Sequence, residues 1–256
     1  MNDKIRKAMM RPDCIMGVTA DNGGSWLSPI REDGAKPTTL PVAEGQPWAI
    51  GSGMLKPQGG MVIDGAFEFP ASDAAVTCGT ALDLRGNTDP LTFICEFELD
   101  EPPEQTQNWY PSLLAQGYPA GGSYTSMTLG LFLMKNNGKK WELRGYLATG
   151  TKAVSAASNI TIEYGKRYIV ALVRDTARNC LTLHIPSMDL MKDSAINTAV
   201  SDPLCTEIPS SQKPQLGVCV GSNLNASHLT YQGTYRVYWA AVFNRALSAE
   251  EIADLS

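Results

Sequence analysis

Three groups of residues in this 256-residue chain carry the side chains that catalysis or recognition would need. The first is Glu96-Phe97-Glu98-Leu99-Asp100-Glu101, a run rich in carboxylates. Residues two apart in a strand share a face, so Glu96 and Glu98 would stand side by side. Two carboxylates flanking a glycosidic bond, one as acid and one as nucleophile or base, are the equipment of glycoside hydrolysis. Glu101 precedes Pro102-Pro103, and its parity puts it on the opposite face unless a bulge intervenes. The second group is aromatic: Trp109, Tyr110, Tyr118 and Tyr124, within residues 101–126. The third is Asn223, Asn225, His228 and Tyr231, within residues 221–234. Aromatic faces stack on the C–H faces of sugars, while amide and hydroxyl groups fix the sugar hydroxyls. These eight are therefore the candidate ligand-binding residues. The plainer alternative is that Trp109 and Tyr110 cover a core edge and that His228 is an ordinary loop residue.

Other chemistries find less support. His184 and His228 are the only histidines, and no Gly-x-Ser-x-Gly elbow accompanies them. His184, in an alternating segment, reads as structural. The six cysteines show no metal or redox spacing. Cys95 and Cys180 fall in apolar strand patterns and read as buried thiols, whereas Cys205 and Cys219 could pair or stay free. Asp21, Asp64, Asp73 and Asp175 are of a type that binds calcium, but their spacing singles out no metal site, so no cofactor is expected. The net charge of −5 and scattered basic residues argue against a nucleic-acid surface. No apolar run is long enough to cross a bilayer. Arg11, Pro12 and Asp13 interrupt the N-terminal segment, so no export leader is read there, and synthesis in a cytoplasm is expected, with the protein staying there or leaving by assembly or lysis.

Strands joined by turns must position these groups. Residues 91–100 alternate, with Phe93, Cys95, Phe97 and Leu99 on one face. Met127–Met134 and Trp141–Ala148 flank Asn136-Asn137-Gly138, a hairpin signal. Residues 168–173 form an apolar strand whose hairpin partner is Cys180–Ile185, and Gln215–Val220 is a further strand. Tyr235–Phe243 suits a strand buried on both faces, with Trp239 and Tyr238 in the core alongside Trp141. Ser248 and Glu251 then form a capping box for a short helix carrying Ile252 and Leu255. Residues 1–60 differ: Lys4–Met10 suits a turn or two of helix, and the Gly- and Pro-rich remainder suits an irregular arm or a first strand with a wrapped loop.

The ending Phe243-Asn-Arg-Ala-Leu-Ser-Ala-Glu-Glu-Ile252 closely resembles the close of laminin-G-like, concanavalin-A-like jelly rolls. Further passages resemble that family in order: Ile63-Asp-Gly-Ala-Phe, Leu82-Asp-Leu, Leu91–Asp100, Gly165–Asp175 and Val218–Asn223. The resemblance implies an all-β, two-sheet antiparallel jelly-roll sandwich with a short C-terminal helix over 61–256, preceded by the arm or docking segment of 1–60. Relatives often bind calcium through an aspartate and an acidic neighbour before the last strand motif; Tyr238 and Trp239 stand there in this chain. Laminarinase-type β-glucanases share the sandwich and place Glu-x-Asp-x-x-Glu on one strand, which Glu96, Glu98 and Glu101 resemble with Glu98 in place of the aspartate. The flanking residues are more similar to the non-catalytic branch, in which Glu96 and Glu98 would face solvent. The resemblance thus implies a non-enzymatic recognition module for a cell-surface or other glycan, or for a protein surface. Together with the absent leader and the arm, it suggests a bacteriophage virion protein, a head-decoration, fibre or tail-associated component whose arm meets other virion proteins. The alternatives are a structural virion cement protein that binds no sugar and a glycosidase using Glu96, Glu98 and Glu101.

Overall fold

The computed structural model describes residues 3–20, 25–27, 38–40, 56–58, 61–69, 75–77, 82–100, 112–117, 127–135, 140–149, 152–188, 190–193, 200–206, 218–222 and 235–256. In chain order, helix α1 (Asp3–Met9) and strand β1 (Cys14–Thr19) precede six short strands: β2 (Ser25–Leu27), β3 (Thr38–Leu40), β4 (Lys56–Gln58), β5 (Met61–Ile63), β6 (Ala66–Phe69) and β7 (Ala75–Thr77). Longer strands follow: β8 (Leu91–Leu99), β9 (Ser112–Gly117), β10 (Met127–Lys135), β11 (Trp141–Thr149), β12 (Lys152–Ala157), β13 (Arg167–Asp175) and β14 (Cys180–Ile185). The chain closes with β15 (Leu190–Asp193), β16 (Val218–Ser222), β17 (Tyr235–Phe243) and helix α2 (Ala249–Asp254).

Among the described residues the strands form two antiparallel sheets. A ten-stranded sheet runs β15-β14-β13-β8-β17-β1-β2-β3, with the β5–β6 hairpin also joined to β17. A seven-stranded sheet runs β12-β11-β10-β9-β16-β7-β4. The expected two-sheet sandwich with a short C-terminal helix is the observed fold. Alternation fills the space between the sheets: Phe93, Cys95, Phe97 and Leu99 of β8 pack in one core with Leu129, Leu131 and Leu133 of β10 and Leu143 and Leu147 of β11. Gly145 lets the sheets approach, since a Cβ there would stand 2.1 Å from Leu172 Cδ1.

Over residues 3–19 the N-terminal segment forms helix α1 and a strand of the sandwich, β1. All six residues of β1 are buried, and β1 lies inside the large sheet between β17 and β2. The short strand expected at Cys14 is thus a structural element of the sandwich. Helix α1 forms where expected, and with α2 it covers one end of the sheet's outer face, burying Ile5, Met9, Phe243, Leu247, Ile252 and Leu255. The expected capping box is present, with Ser248 and Glu251 each bonding the other's backbone N–H. Arg245 joins the two termini by donating to Asp13 and to both carboxylate oxygens of Glu251. Thr92 Oγ1 donates to the Arg245 carbonyl at 2.8 Å and accepts from the Leu247 N–H at 2.9 Å, fixing the turn between strand and helix.

A second buried guanidinium holds the loops of the large sheet. Arg174 of β13 is fully buried, and it donates to the carbonyls of Val200 at 2.9 Å, Asn87 at 2.9 Å, Asp89 at 3.2 Å and Asp202 at 2.7 Å. Burial draws its pKa down to about 10, so it remains charged at neutral pH. Cys14, Cys95, Cys180 and Cys205 are buried cysteines outside any disulfide. Cys205 packs against Phe132, Tyr146 and Ala148 and is in no disulfide. His184 is buried in β14, opposite Ala171 and Met191.

Two predictions follow from these clamps. Arg174→Met leaves its carbonyls without donors in a buried setting, and should lower stability by about 2–4 kcal/mol, read as a lower urea midpoint. The Arg245 hydrogen bond holds Glu251 at about 2, against an ordinary 4.5. A depressed carboxylate stabilises the fold above its unfolded pKa and loses that contribution as pH falls toward the folded one. Stability should therefore drop between about pH 4.5 and 2, and Arg245→Met should flatten that part of the profile in thermal melts at successive pH values.

Candidate functional site

All eight candidate ligand-binding residues (Trp109, Tyr110, Tyr118, Tyr124, Asn223, Asn225, His228 and Tyr231) lie outside the described residues. The strand ends that flank them are described, and their registers show which segments share an anchor. Leu99, before residues 100–111, is the cross-strand partner of Tyr235, which ends the 223–234 segment. Ser112, where β9 begins, is the partner of Ser222, after which that segment starts. The Tyr235 hydroxyl donates to the Ser112 carbonyl at 3.3 Å, crossing from the large sheet to the small one. A third connection has the same anchors: Phe69, before residues 70–74, pairs with Tyr235, and Ala75, after them, pairs with Ser222. Three sheet-to-sheet connections thus begin and end around Tyr235, at one rim of the sandwich. The Ser112 hydroxyl is also buried there without a protein partner.

This arrangement brings together the anchors of Trp109 and Tyr110 with those of Asn223, Asn225, His228 and Tyr231. It separates Tyr118 and Tyr124, whose segment leaves and returns at the paired ends Gly117 and Met127. Those ends lie at the far end of β9 from Ser112, about 17 Å away at 3.4 Å per residue. The excursion read as one aromatic cluster over 101–126 is therefore divided by β9, because a strand carries the chain from one rim to the other.

Beside the rim, the outer face of the large sheet carries a charged ledge. Glu68, Arg236, Glu98 and Arg167 stand opposite one another on β6, β17, β8 and β13, a cross-strand row of alternating sign. Arg236 Nε lies 3.0 Å from Glu68, and its two terminal nitrogens reach Glu98 at 3.4 Å and Asp100 at 3.3 Å. Arg167, half-exposed, lies with its guanidinium carbon 3.6 Å from the centre of the Tyr238 ring. A bulge in β17 explains the aromatic pair. Val237 is opposite Phe97 but Trp239 is opposite Glu96, so Tyr238 is an extra residue. Tyr238 and Trp239 consequently both pack on the outer side of the sheet, while Val237 and Ala240 face the central core.

Glu96 and Glu98 do share the outer face, as alternation implies, but they are not open to solvent. Trp239 Nε1 donates to Glu96 Oε2 and the Tyr238 hydroxyl donates to Glu98 Oε2, each at 2.8 Å. Burial raises the Glu96 pKa, partly offset by the Trp239 hydrogen bond and by Arg167. Burial and then the bond to Glu98 push Tyr238 up to about 12. Both carboxylates are thus engaged with their own sheet. Glu101 lies outside the described residues. The expected core position of Trp239 holds, though on the outer side, since the bulge changes its parity. Arg236 was the overlooked signal, being the sole charge within an apolar β17.

The candidate calcium ligands that are described serve turns. Asp64 has a φ of +51° in the β5–β6 hairpin, and Asp175 Oδ1 accepts the Arg178 N–H at 3.0 Å. Asp21 and Asp73 lie outside the described residues.

No protein-family model matches this chain, and no curated protein matches its sequence. Solved structures do match the fold. The chain is similar to the Trypanosoma rangeli sialidase in complex with 2,3-difluorosialic acid, with a TM-score of 0.55 and 16% identity over 96% of this chain and 33% of the sialidase. It is similar to the binding domain of Paraclostridial Mosquitocidal Protein 1, with a TM-score of 0.56 and 11% identity over 95% of this chain and 51% of that one. It is also similar to the ligand-binding domain of botulinum neurotoxin serotype D in complex with N-acetylneuraminic acid, with a TM-score of 0.54 and 11% identity over 98% of this chain and 52% of that one. The chain therefore spans a third to a half of the structures it matches. At these identities the likeness is one of fold, a two-sheet antiparallel β-sandwich.

The Tyr235 bond to Ser112 gives a direct test of the shared anchor. Tyr235→Phe keeps the ring but leaves the buried Ser112 carbonyl without this donor, and should lower stability by about 1 kcal/mol in urea unfolding. Amide exchange should quicken at Ser112 and Ser222 more than in β13, because the loss falls at the rim.

Proposed function

We propose that this chain is a non-catalytic glycan-recognition module, a lectin-type sandwich of the laminin-G-like kind whose binding site lies at the Tyr235 rim. The carrying observation is the common anchorage of 100–111 and 223–234. It joins the segment holding Trp109 and Tyr110 to the one holding Asn223, Asn225, His228 and Tyr231. Stacking faces and amide groups brought to one rim are the two components that sugar binding requires. Two of the similar structures hold sialic acid or its difluoro analogue, which supports a carbohydrate ligand for a domain of this shape.

A non-catalytic role is supported by the state of the carboxylates. Glu96 and Glu98 accept hydrogen bonds from Trp239 and Tyr238 and face guanidiniums. A hydrolase needs its acid and its nucleophile directed at the bond to be cleaved. Tyr118 and Tyr124, anchored at the other end of β9, are outside the proposed site. Placement in a virion draws no support from the similar structures and is not part of the proposal.

The test is a broad glycan array probed with the purified chain, with and without chelator, alongside a reducing-sugar assay on β-glucans. Binding to a defined set of glycans is expected, with at least about a tenfold loss for Trp109→Ala, as for removal of one stacking aromatic. Tyr118→Ala should bind as the unmodified chain does, and no sugar should be released. Absence of binding across the array would favour the structural-cement or protein-surface reading. Sugar release abolished by Glu96→Gln would replace the proposal with the hydrolase.

A further inference from the structure

We infer that the cleft between the two terminal helices is a binding site for a small amphipathic monocarboxylate, a single carboxylate on a short apolar tail. The inference is independent of the glycan reading, since the cleft lies at the opposite extremity of β17 from Tyr235. Helical spacing builds its walls. Lys4, Lys7, Ala8 and Arg11 follow the i, i+3, i+4, i+7 pattern, so they share a face of α1 and the turn that continues it. Glu251, Asp254 and Leu255 repeat the i, i+3, i+4 spacing on α2 and just beyond it. With Phe243, which ends β17, and Leu247 these side chains enclose a cavity of about 320 Å³. That is the lower end of the range of about 300 to 1,000 Å³ typical of small-molecule pockets.

The cavity is apolar in depth and charged at its mouth. Ala8, Phe243, Leu247 and Leu255 are buried, whereas Lys4, Lys7, Arg11 and Asp254 are exposed. Most of the mouth charges are spent on one another. Lys4 Nζ lies 2.6 Å from Asp254 Oδ1, and Arg11 Nη1 lies 3.6 Å from Glu251 Oε1, so one ion pair bridges the helices at each end of the α1 face. Arg11 also donates to both carboxylate oxygens of Asp13, and Glu251 accepts from Arg245. Asp3, Arg6 and Glu250, the other charges of the two helices, do not line the cavity. Lys7 stands between Lys4 and Arg11 along α1 and is paired with no acid among the described residues.

The acids of α2 are therefore matched before any ligand arrives, and one ammonium is left to meet one negative charge. A carboxylate on Lys7 forms a charge-assisted hydrogen bond there while its tail enters the apolar depth. A neutral amphiphile gains the apolar contact alone. An alkylammonium sets its charge beside Lys7, and a dianion brings a second charge to Glu251 and Asp254, so both meet like-charge repulsion.

The experiment titrates the isotope-labelled full chain at neutral pH with butanoate, hexanoate and octanoate, and with octan-1-ol and octylammonium, reading backbone amide shifts. The shifts should gather on α1, α2 and residues 243–247. Affinity should rise by up to about fourfold for each added methylene until the tail fills the cavity, as burial of a CH₂ group implies. Octanoate should bind about tenfold more tightly than octan-1-ol, and the alcohol more tightly than octylammonium. Lys7→Gln, at an exposed position, should bring octanoate down to the affinity of the alcohol, whose own affinity stays within about twofold. Lys7→Glu should place octylammonium ahead of octanoate. No localised shift with octanoate, equal affinity for the acid and the ammonium, or a preference for the acid that survives in Lys7→Glu would each overturn the inference. None of these outcomes bears on glycan binding at the Tyr235 rim.

Discussion

The extra residue in β17 is the constraint on which much of the molecule turns. β17 has β8 along one side, with β6 and then β1 sharing the other, so it has no free edge. A strand that crosses the full sheet in strict alternation would keep one set of residues inward from end to end. The bulge at Tyr238 divides β17 into two halves of opposite parity. In the first half Tyr235 and Val237 face inward and Arg236 outward; in the second Ala240 and Val242 face inward, while Ala241 and Phe243 join the cluster under the helices. One insertion thus lets the same strand offer an inward tyrosine to the rim, an outward arginine to the ledge and a greasy floor to α1 and α2.

The two ends of β17 are stabilised by different physics. At the Phe243 end the last strand turns into a helix whose capping glutamate is also the partner of Arg245. Burial works against the Asp13 carboxylate, but Arg245 and Arg11 outweigh it and hold its pKa below the ordinary value. The charged groups here are partly solvent-exposed, so each pair contributes modestly on its own. Their effect comes from joining residues 13, 245 and 251 to a buried apolar contact between helices and sheet. At the Tyr235 end the fastening is a neutral hydrogen bond across the core, between two elements 123 residues apart. Breaking it therefore loosens the rim and leaves the helical end intact.

Much of the fold was legible because the signals are local. The alternation of residues 91–99, the apolar run of β13 and the capping box at Ser248 each lie within a few residues of chain, and each appears where the sequence puts it. What escaped reading depends on long-range pairing. β1 was seen only as a possible short strand, because nothing near Cys14 reveals that β17 lies beside it. Arg245 could be noted as part of a motif, but its partner Asp13 is 232 residues away. Glu96 and Glu98 could be assigned a shared face, whereas their cover by Tyr238 and Trp239 required a bulge that no residue in β17 announces. The candidate site divides in the same way: residue types named the aromatic and amide segments, while register alone decides that 100–111 and 223–234 share an anchor and that 118–126 does not.

That dependence on register says something about how such a sandwich can change its ligand. The ends of the rim segments are fixed by ladder pairs to Leu99, Ser112, Ser222 and Tyr235, three of which are themselves known to be buried. Changes at those positions act on the core and carry its penalties. Changes between them alter length, stacking groups and charge with little demand on the sheets, as is general for loops on a rigid scaffold. Fold likeness at 11–16% identity is then expected to survive while the charge of the rim drifts from one chain to another.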